Sequence, residues 1–543
     1  MKLYIKEIEF FVKKWYFVTF VLLVTVLGFG FDISNLTINI DSLAGDIYNS
    51  ANGQMIASGR FGLQFWNLFF KNTAHLVENS YLTGILGLFF LIWSAINFCI
   101  LFKRASNNTL SMPSYTVFAA CLVSYPLMNE IWEYYGANLA VCGEFLFISF
   151  SLLLIYDQLE KGKFNILSSL AVCFFMTIVC SGYESLICVF VFAVFATLFL
   201  KQKDEPNPKK YLIQGLIYLA AIICGIILRL ITHRVLLTVL NVEAASNGAT
   251  EILWLNGNPI TTAINLIASI SFSHILCSPL YFPLTVFMVC VIIMLGILIY
   301  LLVKKKIFSA LLLFGMLLSS ELLSIIQGSA SPYRACQVFA ILCAFTFMMI
   351  ANRFKFKNIV PLALALVCIS QASYLNYVFT LNHIRYQEEK AAIEQIGYTL
   401  KNNYPADKPV VFVGKFELSD NITEKVRVNE NSIGYKIAKK TNTVVTDITS
   451  KFENAINPSL KFPVTNVNSV ISWSADAFGN STMLENLFAF HGFDINVQTD
   501  IYENNLALYD QFFRDSPMPC YPEKGYIQET DELIFVRLGE SFY

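Results

Sequence analysis

The sequence predicts a polytopic α-helical membrane protein with a C-terminal extracytoplasmic α/β domain. Three observations lead to this fold class: the composition, a succession of long apolar runs, and a polar C-terminal part. Hydrophobic residues make up 56% of the 543 residues and charged residues 14%, and the mean hydropathy is +0.56. A soluble domain is about half apolar and about a quarter charged, so the surplus apolar surface is expected to face lipid.

The apolar runs predict about eleven transmembrane helices. Backbone polar groups find no water inside a bilayer, so each spanning segment is expected to be a helix of about 20 apolar residues. The runs that fit this description are residues 15–31, 81–102, 113–128, 137–156, 164–180, 185–200, 211–231, 280–302, 307–326, 334–351 and 358–379.

The orientation follows from the loops, because Lys and Arg are enriched in short cytoplasmic loops. With the N-terminus in the cytoplasm, eighteen of these residues fall in inner loops and four in outer loops, which places the C-terminus outside. The inner residues are Lys2, Lys6, Lys13, Lys14, Lys103, Arg104, Lys161, Lys163, Lys201, Lys203, Lys209, Lys210, Lys304, Lys305, Lys306, Arg353, Lys355 and Lys357. The outer residues are Arg60, Lys71, Arg234 and Arg334.

Residues 259–279 are apolar enough to span, but a span there would move the cluster at 304–306 to the outside. We therefore expect an interfacial or re-entrant outer helix. The outer face then holds a long first loop, 32–80, and a long second segment, 232–279. Long loops are usually functional or linkers, so the chemistry is expected on this face.

The sequence divides into a transmembrane module, 1–379, and a domain of mixed, polar composition, 380–543. The net charge of −1 argues against a nucleic-acid partner. The cysteines lie mostly in apolar runs without metal-site spacing, so we interpret them as small hydrophobic residues. Within 380–543 the patterns predict helices at 385–400 and 477–490 and strands at 410–413 and 533–536.

The first outer loop carries candidate catalytic carboxylates close to the membrane, at Asp32, Asp41 and Asp46. In a helix Asp41 and Asp46 would lie about 140° apart, so a tight carboxylate pair is not expected. A single general base in a partly dry site is the simpler prediction, with Asp41 or Asp46 in that role. The alternative is that Asp41 caps a helix near Ser42 and that Asp46 is solvated.

Three of the outer cations flank predicted spans, at Arg60, Arg234 and Arg334. The guanidinium group binds phosphate through two parallel hydrogen bonds, which makes these residues candidates for holding a lipid phosphate. The alternative is that each side chain reaches lipid headgroups or pairs with a glutamate.

Two further outer segments contain carboxylates next to aromatic rings, a pattern that suits sugar binding. Glu130 and Glu133 lie one helical turn apart among aromatic residues, and Tyr183 and Glu184 lie in a turn between two apolar runs. Trp66 belongs to an aromatic segment that we expect in the membrane interface, where simple anchoring is the alternative role.

The sequence, with its outer acids and arginines between transmembrane spans, resembles the bacterial serotype-converting O-antigen glucosyltransferases, a family of the polytopic GT-C class. The resemblance rests on residues 39–41 (Asn-Ile-Asp) in the first outer loop, 58–60 (Ser-Gly-Arg) near its end, and 183–185 (Tyr-Glu-Ser) between two spans. These motifs cover about the first 200 residues. The sequence departs from the family at Ser42, where a second acid is frequent, at Phe61, where Trp is common, and at Glu184, which replaces Gln.

The resemblance implies an inverting transfer of a hexose, expected to be glucose, from a polyprenyl-phosphate sugar to a cell-surface glycan. It also implies a location in the bacterial inner membrane, with the reaction on the outer face. Asp41 would be the general base, with Asp46 as the alternate, and Arg60, Arg234 and Arg334 would bind the donor phosphate. The sugar and acceptor would be bound by Tyr183, Glu184, Glu130, Glu133 and Trp66.

Two other function classes compete with a transferase. A transporter or flippase of lipid-linked glycans is expected to show internal repeats and broken helices near the midplane, and we find no similarity between the halves. A non-enzymatic glycan-binding protein would not need acids and arginines concentrated around the first loop. The sequence requires no cofactor and leaves open whether a divalent cation takes part.

Overall fold

The computed structural model describes residues 2–38, 54–66, 80–132, 138–202, 207–245, 252–256, 258–276, 282–353, 359–414, 416–426, 431, 436, 439–440, 481–497 and 502–540. The chain divides into two compact units. The first comprises residues 1–34, 50–378 and 428–470, and the second comprises residues 35–49, 379–427 and 471–543.

The first unit is built from helices. Among the described residues these are α1 (Lys2–Val12), α2 (Trp15–Ser34), α3 (Gln54–Ala57), α4 (Phe61–Phe65), α5 (Ser80–Ala105), α6 (Met112–Ser124), α7 (Asn129–Trp132), α8 (Asn138–Lys161), α9 (Ile166–Ser181), α10 (Leu186–Lys201), α11 (Pro208–Leu240), α12 (Leu253–Asn256), α13 (Pro259–Ile270), α14 (Phe282–Val303), α15 (Ile307–Ser320), α16 (Leu322–Gln327), α17 (Val338–Arg353) and α18 (Ile359–Asn403), whose C-terminal part belongs to the second unit.

Six described helices are long and apolar enough to cross a bilayer: α2, α5, α8, α11, α14 and α18. Helices α6, α9, α10, α13, α15 and α17 are apolar but shorter. The chain is therefore a multi-pass membrane protein, while the count of eleven spans and their orientation stay predictions.

Two predicted spans are interrupted. Tyr125 precedes a proline, which disfavours the helical conformation, and it is extended with φ −69° and ψ 121°, so α6 ends at Ser124. A 3₁₀ turn, Pro126–Met128, follows. The predicted span 307–326 breaks at Glu321, where φ is −111° and ψ is 13°, and the chain continues as the short helix α16.

The second outer segment contains α13, which continues as a π-helical turn, Ser271–Leu276. Such turns are rare and often accompany functional sites. Here the turn places His274 in the interior, fully buried. Whether 259–279 lies in the interface or spans the membrane stays a prediction.

The second unit contains a three-stranded sheet formed by β1 (Val410–Val413), β2 (Ile527–Glu529) and β3 (Ile534–Arg537), in the order β1-β3-β2. Strands β1 and β3 are parallel, with Val411 opposite Phe535, and β2 is antiparallel to β3. Helices α19 (Asp420–Val426), α20 (Ser481–Phe490) and α21 (Tyr502–Phe513) complete the described part of this unit. The strands predicted at 410–413 and 533–536 are confirmed to within one residue, while the extracytoplasmic location is a prediction.

Candidate functional site

The turn between α9 and α10, residues 181–185 (Ser-Gly-Tyr-Glu-Ser), is the point on which the polar contacts of the candidate site converge. The Glu144 carboxylate of α8 is fully buried beneath it, and its Oε2 accepts a hydrogen bond from the Tyr183 N–H at 3.0 Å. On the other side Ser185 Oγ donates to Gln337 Oε1 at 2.6 Å. The turn is therefore fixed by side chains that come from distant parts of the chain.

Gly182 is required by the close approach of that carboxylate. A β-carbon at this position would lie 1.6 Å from Glu144 Oε1, which leaves no room for any other residue. Among the described residues, Glu144 Oε1 has no hydrogen-bond partner. Leaving a buried carboxylate oxygen without a partner is costly, and such groups are retained mainly where they serve a site.

Arg229 of α11 pairs with the fourth residue of the turn. Its Nη2 lies 2.5 Å from Glu184 Oε1, and its Nε donates to the Gly59 carbonyl oxygen at 3.4 Å. One helical turn later, His233 Nε2 lies 2.9 Å from the Ile56 carbonyl oxygen, so this nitrogen is the donor. One face of α11 thus holds both the 181–185 turn and the end of the first outer loop.

The end of that loop, residues 54–66, is the docking segment. Gly59 has a φ of +75°, which favours glycine, and the Arg60 N–H donates to the Met55 carbonyl at 2.7 Å. A β-carbon on Gly62 would lie 2.4 Å from the Ile178 carbonyl oxygen and 2.7 Å from Ser181 Oγ. The backbone of the docking segment therefore lies directly against the end of α9 and the 181–185 turn.

Trp66 ends the docking segment inside the helix bundle. Its ring stacks on Phe147 of α8 at 5.3 Å between centroids and contacts Phe90 of α5 at 5.1 Å. It occupies space that Gly143 leaves open, because a β-carbon there would lie 2.1 Å from the ring. These contacts favour an anchoring role, and sugar binding by Trp66 stays a prediction.

The three predicted phosphate-binding arginines are all exposed. Arg60 lies in the docking segment, between Gly59 and α4. Arg334 lies in the 3₁₀ turn Tyr333–Ala335, and its carbonyl accepts from the side chain of Gln337, the residue that also bonds the 181–185 turn. Two of the three arginines are thus tied to one turn. Arg234 follows His233 on α11 and lies about 100° around the helix from it.

A buried polar network holds the backbone that leads to Arg334. His274 Nδ1 lies 3.1 Å from both carboxylate oxygens of Glu321, and its Nε2 lies 3.1 Å from the Ser331 carbonyl oxygen. The Tyr333 hydroxyl donates to the Ser273 carbonyl at 2.9 Å. Both ring nitrogens of His274 lie within hydrogen-bonding distance of oxygen atoms, an arrangement that suits an imidazolium cation paired with Glu321.

Sequence reasoning missed Glu144, Arg229 and His274 as contributors to the site. The available signal was an ionisable residue inside an apolar segment, which in a membrane protein indicates function by default. Several predictions concern residues outside the described part of the chain: Asp41, Asp46, Glu133 and the side chain of Glu130. Within the described residues no group of three or more His, Cys, Asp or Glu side chains could hold a metal ion.

A family model described as "Glucosyl transferase GtrII" matches residues 30–351, more than half of the chain, including the docking segment, the 181–185 turn and Arg334. The comparison with curated proteins gives no match. Among solved structures, the chain is similar to the archaeal oligosaccharyltransferase AglB from Archaeoglobus fulgidus in complex with an inhibitory peptide and a dolichol-phosphate. The identity is 9% and the TM-score 0.37, with 74% of this chain and 62% of that chain covered, less than two thirds of its length.

Replacing Arg229 with glutamine is expected to release the docking segment and reduce glycosyl transfer by about 100-fold, the effect of displacing a site by about 1 Å. Adding Glu184→Gln to this variant should cost little more, because the two residues act through one ion pair. The assay is transfer of labelled glucose in membranes at matched protein levels, with Lys209→Gln at the other end of α11 as the control. Full activity of Arg229→Gln, or losses that multiply in the double variant, would contradict this role.

Replacing His274 with alanine is expected to lower the stability of the protein by about 3–5 kcal/mol, because Glu321 is left charged and unpaired in the interior. Thermal unfolding of the purified protein measures the effect. Replacing both residues with leucine should recover most of the loss, since an apolar pair has no charge to desolvate. A double variant that is less stable than His274→Ala would contradict the view that an unpaired Glu321 charge causes the loss of stability.

Proposed function

Because this chain belongs to the glucosyl transferase GtrII family, we propose that it moves a glucose unit from a polyprenyl-phosphate donor to a cell-surface glycan. The chain is a membrane glycosyltransferase; the donor, the acceptor and the inverting course of the reaction are the proposed parts. The main support for the proposal is the position of the docking segment. The Arg229–Glu184 pair and the Gly62 contact hold this segment in place, and its Arg60 side chain is exposed.

The donor phosphate is assigned to Arg60, supported by Arg334 and Arg234. In the transfer, the bond between the anomeric carbon and the phosphate oxygen breaks, so negative charge grows on the leaving phosphate. A guanidinium group fixed beforehand at that position stabilises the transition state more than the ground state. The hydrogen bonds of Gly59 and Arg60 fix the backbone from which the Arg60 side chain extends.

The acceptor is activated by a general base from the first outer loop. The acceptor hydroxyl attacks the anomeric carbon from the face opposite the phosphate, which inverts the configuration, and its proton passes to the base. We assign the base to Asp41, with Asp46 as the alternate, because a carboxylate near a membrane surface suits this step. The polyprenyl phosphate then leaves with the electrons of the broken bond.

Tyr183 and Glu184 are assigned to the border of the sugar pocket, with Glu130 and Glu133 as further acceptor contacts. Glu184 contributes there by orienting Arg229, its ion-pair partner. The Glu144 carboxylate contributes from below, because it fixes the Tyr183 backbone. The pocket is thereby positioned by two carboxylates on opposite sides of one turn.

Asp41→Asn is expected to reduce transfer by about 10²- to 10⁴-fold, the usual contribution of a general base. The assay follows labelled glucose from polyprenyl-phosphate glucose to acceptor in vesicles that contain purified protein. Asp46→Asn is the matched control and should keep most of the activity. A loss confined to Asp46→Asn would assign the base to Asp46, and full activity in both variants would overturn a base in this loop.

Arg60→Lys is expected to retain more activity than Arg60→Ala, because a lysine keeps the charge and loses only the planar pair of donors. Both variants should raise the apparent KM for the lipid donor and leave that for the acceptor unchanged. Steady-state kinetics with each substrate varied in turn makes this comparison. An equal loss in both variants with an unchanged donor KM would show that Arg60 does not bind the phosphate.

A further inference from the structure

A cavity lies at the end of the first unit opposite the 181–185 turn. Its volume is about 1000 Å³, and its walls are the C-terminal ends of α10, α14 and α17 and the N-terminal end of α15. The connection of residues 304–306 between α14 and α15 lies at its rim, on the face that the loop charges predict to be cytoplasmic. We call this cavity the basic groove.

The walls of the basic groove are mostly apolar. Ile293 and Ile297 line it from α14 and Met349 from α17. A β-carbon on Gly296 would meet nothing within 4 Å, so open space reaches the backbone of α14. The same helix exposes Ile299 to its surroundings and is among those apolar enough to cross a bilayer. We therefore expect hydrocarbon chains beside the α14 wall of this cavity.

Three cations border the basic groove: Lys305, Lys306 and Arg353. All three are exposed, and none forms an ion pair within the part of the chain that the structure describes. Lys305 adopts a φ of +56°, a conformation that glycine or asparagine adopts at lower cost. The chain thus keeps a charge at a position where its backbone favours other residues.

Some other cations predicted on this face, Arg104 and Lys201 among them, are neutralised by carboxylates of the protein itself. Arg104 Nε donates to both carboxylate oxygens of Glu7 at 3.0 Å, and its Nη1 lies 2.5 Å from Asp157 Oδ1. Lys201 pairs with Glu160. The positive-inside bias explains why basic residues occur on this face. Among the described residues, those at the groove differ from Arg104 and Lys201 in having no carboxylate partner.

We propose that the basic groove binds an anionic phospholipid of the cytoplasmic leaflet. Its phosphate contacts Lys305, Lys306 and Arg353, and its acyl chains lie between α14 and α17. Basic pockets between transmembrane helices bind acidic headgroups in this way, and each cation near a membrane surface contributes measurably to the attraction. This site is distinct from the donor site assigned to Arg60 and does not depend on it.

The test measures lipid binding to the purified full-length chain by native mass spectrometry and by thermal shift, with phosphatidylglycerol as the probe. The wild type is expected to retain phosphatidylglycerol in preference to phosphatidylcholine and to unfold at a higher temperature in its presence. The triple variant K305Q/K306Q/R353Q should bind it on the order of 100-fold more weakly. The matched control K6Q/K14Q/K163Q removes three exposed charges predicted on the same face and should bind normally.

A second variant, Gly296→Leu, fills the groove without removing charge, and it has room to fold. It should lose the lipid while keeping glucosyl transfer, and it keeps the proposal testable if the triple variant does not fold. Equal binding of phosphatidylcholine, equal loss in the control, or stabilisation by inorganic phosphate alone would overturn the proposal. Stronger retention of polyprenyl phosphate than of phosphatidylglycerol would also overturn it and would identify the carrier lipid as the occupant.

Discussion

The candidate site depends on the ion pair between Arg229 and Glu184, together with the buried carboxylate of Glu144 beneath the same turn. A buried carboxylate is costly unless it is hydrogen-bonded, so the bond from the Tyr183 N–H to the fully buried Glu144 restricts the arrangements open to this turn. The pair holds the 181–185 turn against α11, and α11 in turn holds the docking segment. The position of Arg60 is a consequence of these contacts.

The charged residues at the two ends of the first unit have different partners. At the predicted outer end, the Arg229–Glu184 and His274–Glu321 pairs fix the backbone that leads to exposed arginines, which suits the binding of a phosphate that must leave after each turnover. At the predicted inner end, Arg104 and Lys201 are neutralised by protein carboxylates, while we propose that the cations at the basic groove bind a lipid phosphate. If both proposals hold, the two sites lie at opposite ends of the first unit, so a variant at one end is expected to leave the other end unaffected.

Much of the helical layout follows from the sequence, because lipid permits only helices where apolar runs occur. Each predicted span has a helix within it, but the breaks at Tyr125 and Glu321 were missed, since hydropathy averages over the local conformation. Glu144 and Arg229 were hidden in the same way, as single charges within apolar runs. The partners of such buried polar residues lie far along the chain. The Gly59 carbonyl is 170 residues from Arg229, and Glu321, the partner of His274, is 47 residues from it. Only the folded structure brings such pairs together.

The proposed function requires the docking segment to form the donor-phosphate side of the active site. The most direct measurement is a cryo-EM structure of the full chain with an unreactive polyprenyl-phosphonate glucose analogue. The phosphonate is expected within hydrogen-bonding distance of Arg60, beside the 181–185 turn. A phosphonate bound instead at residues 304–306, with the docking segment unoccupied, would contradict the proposal.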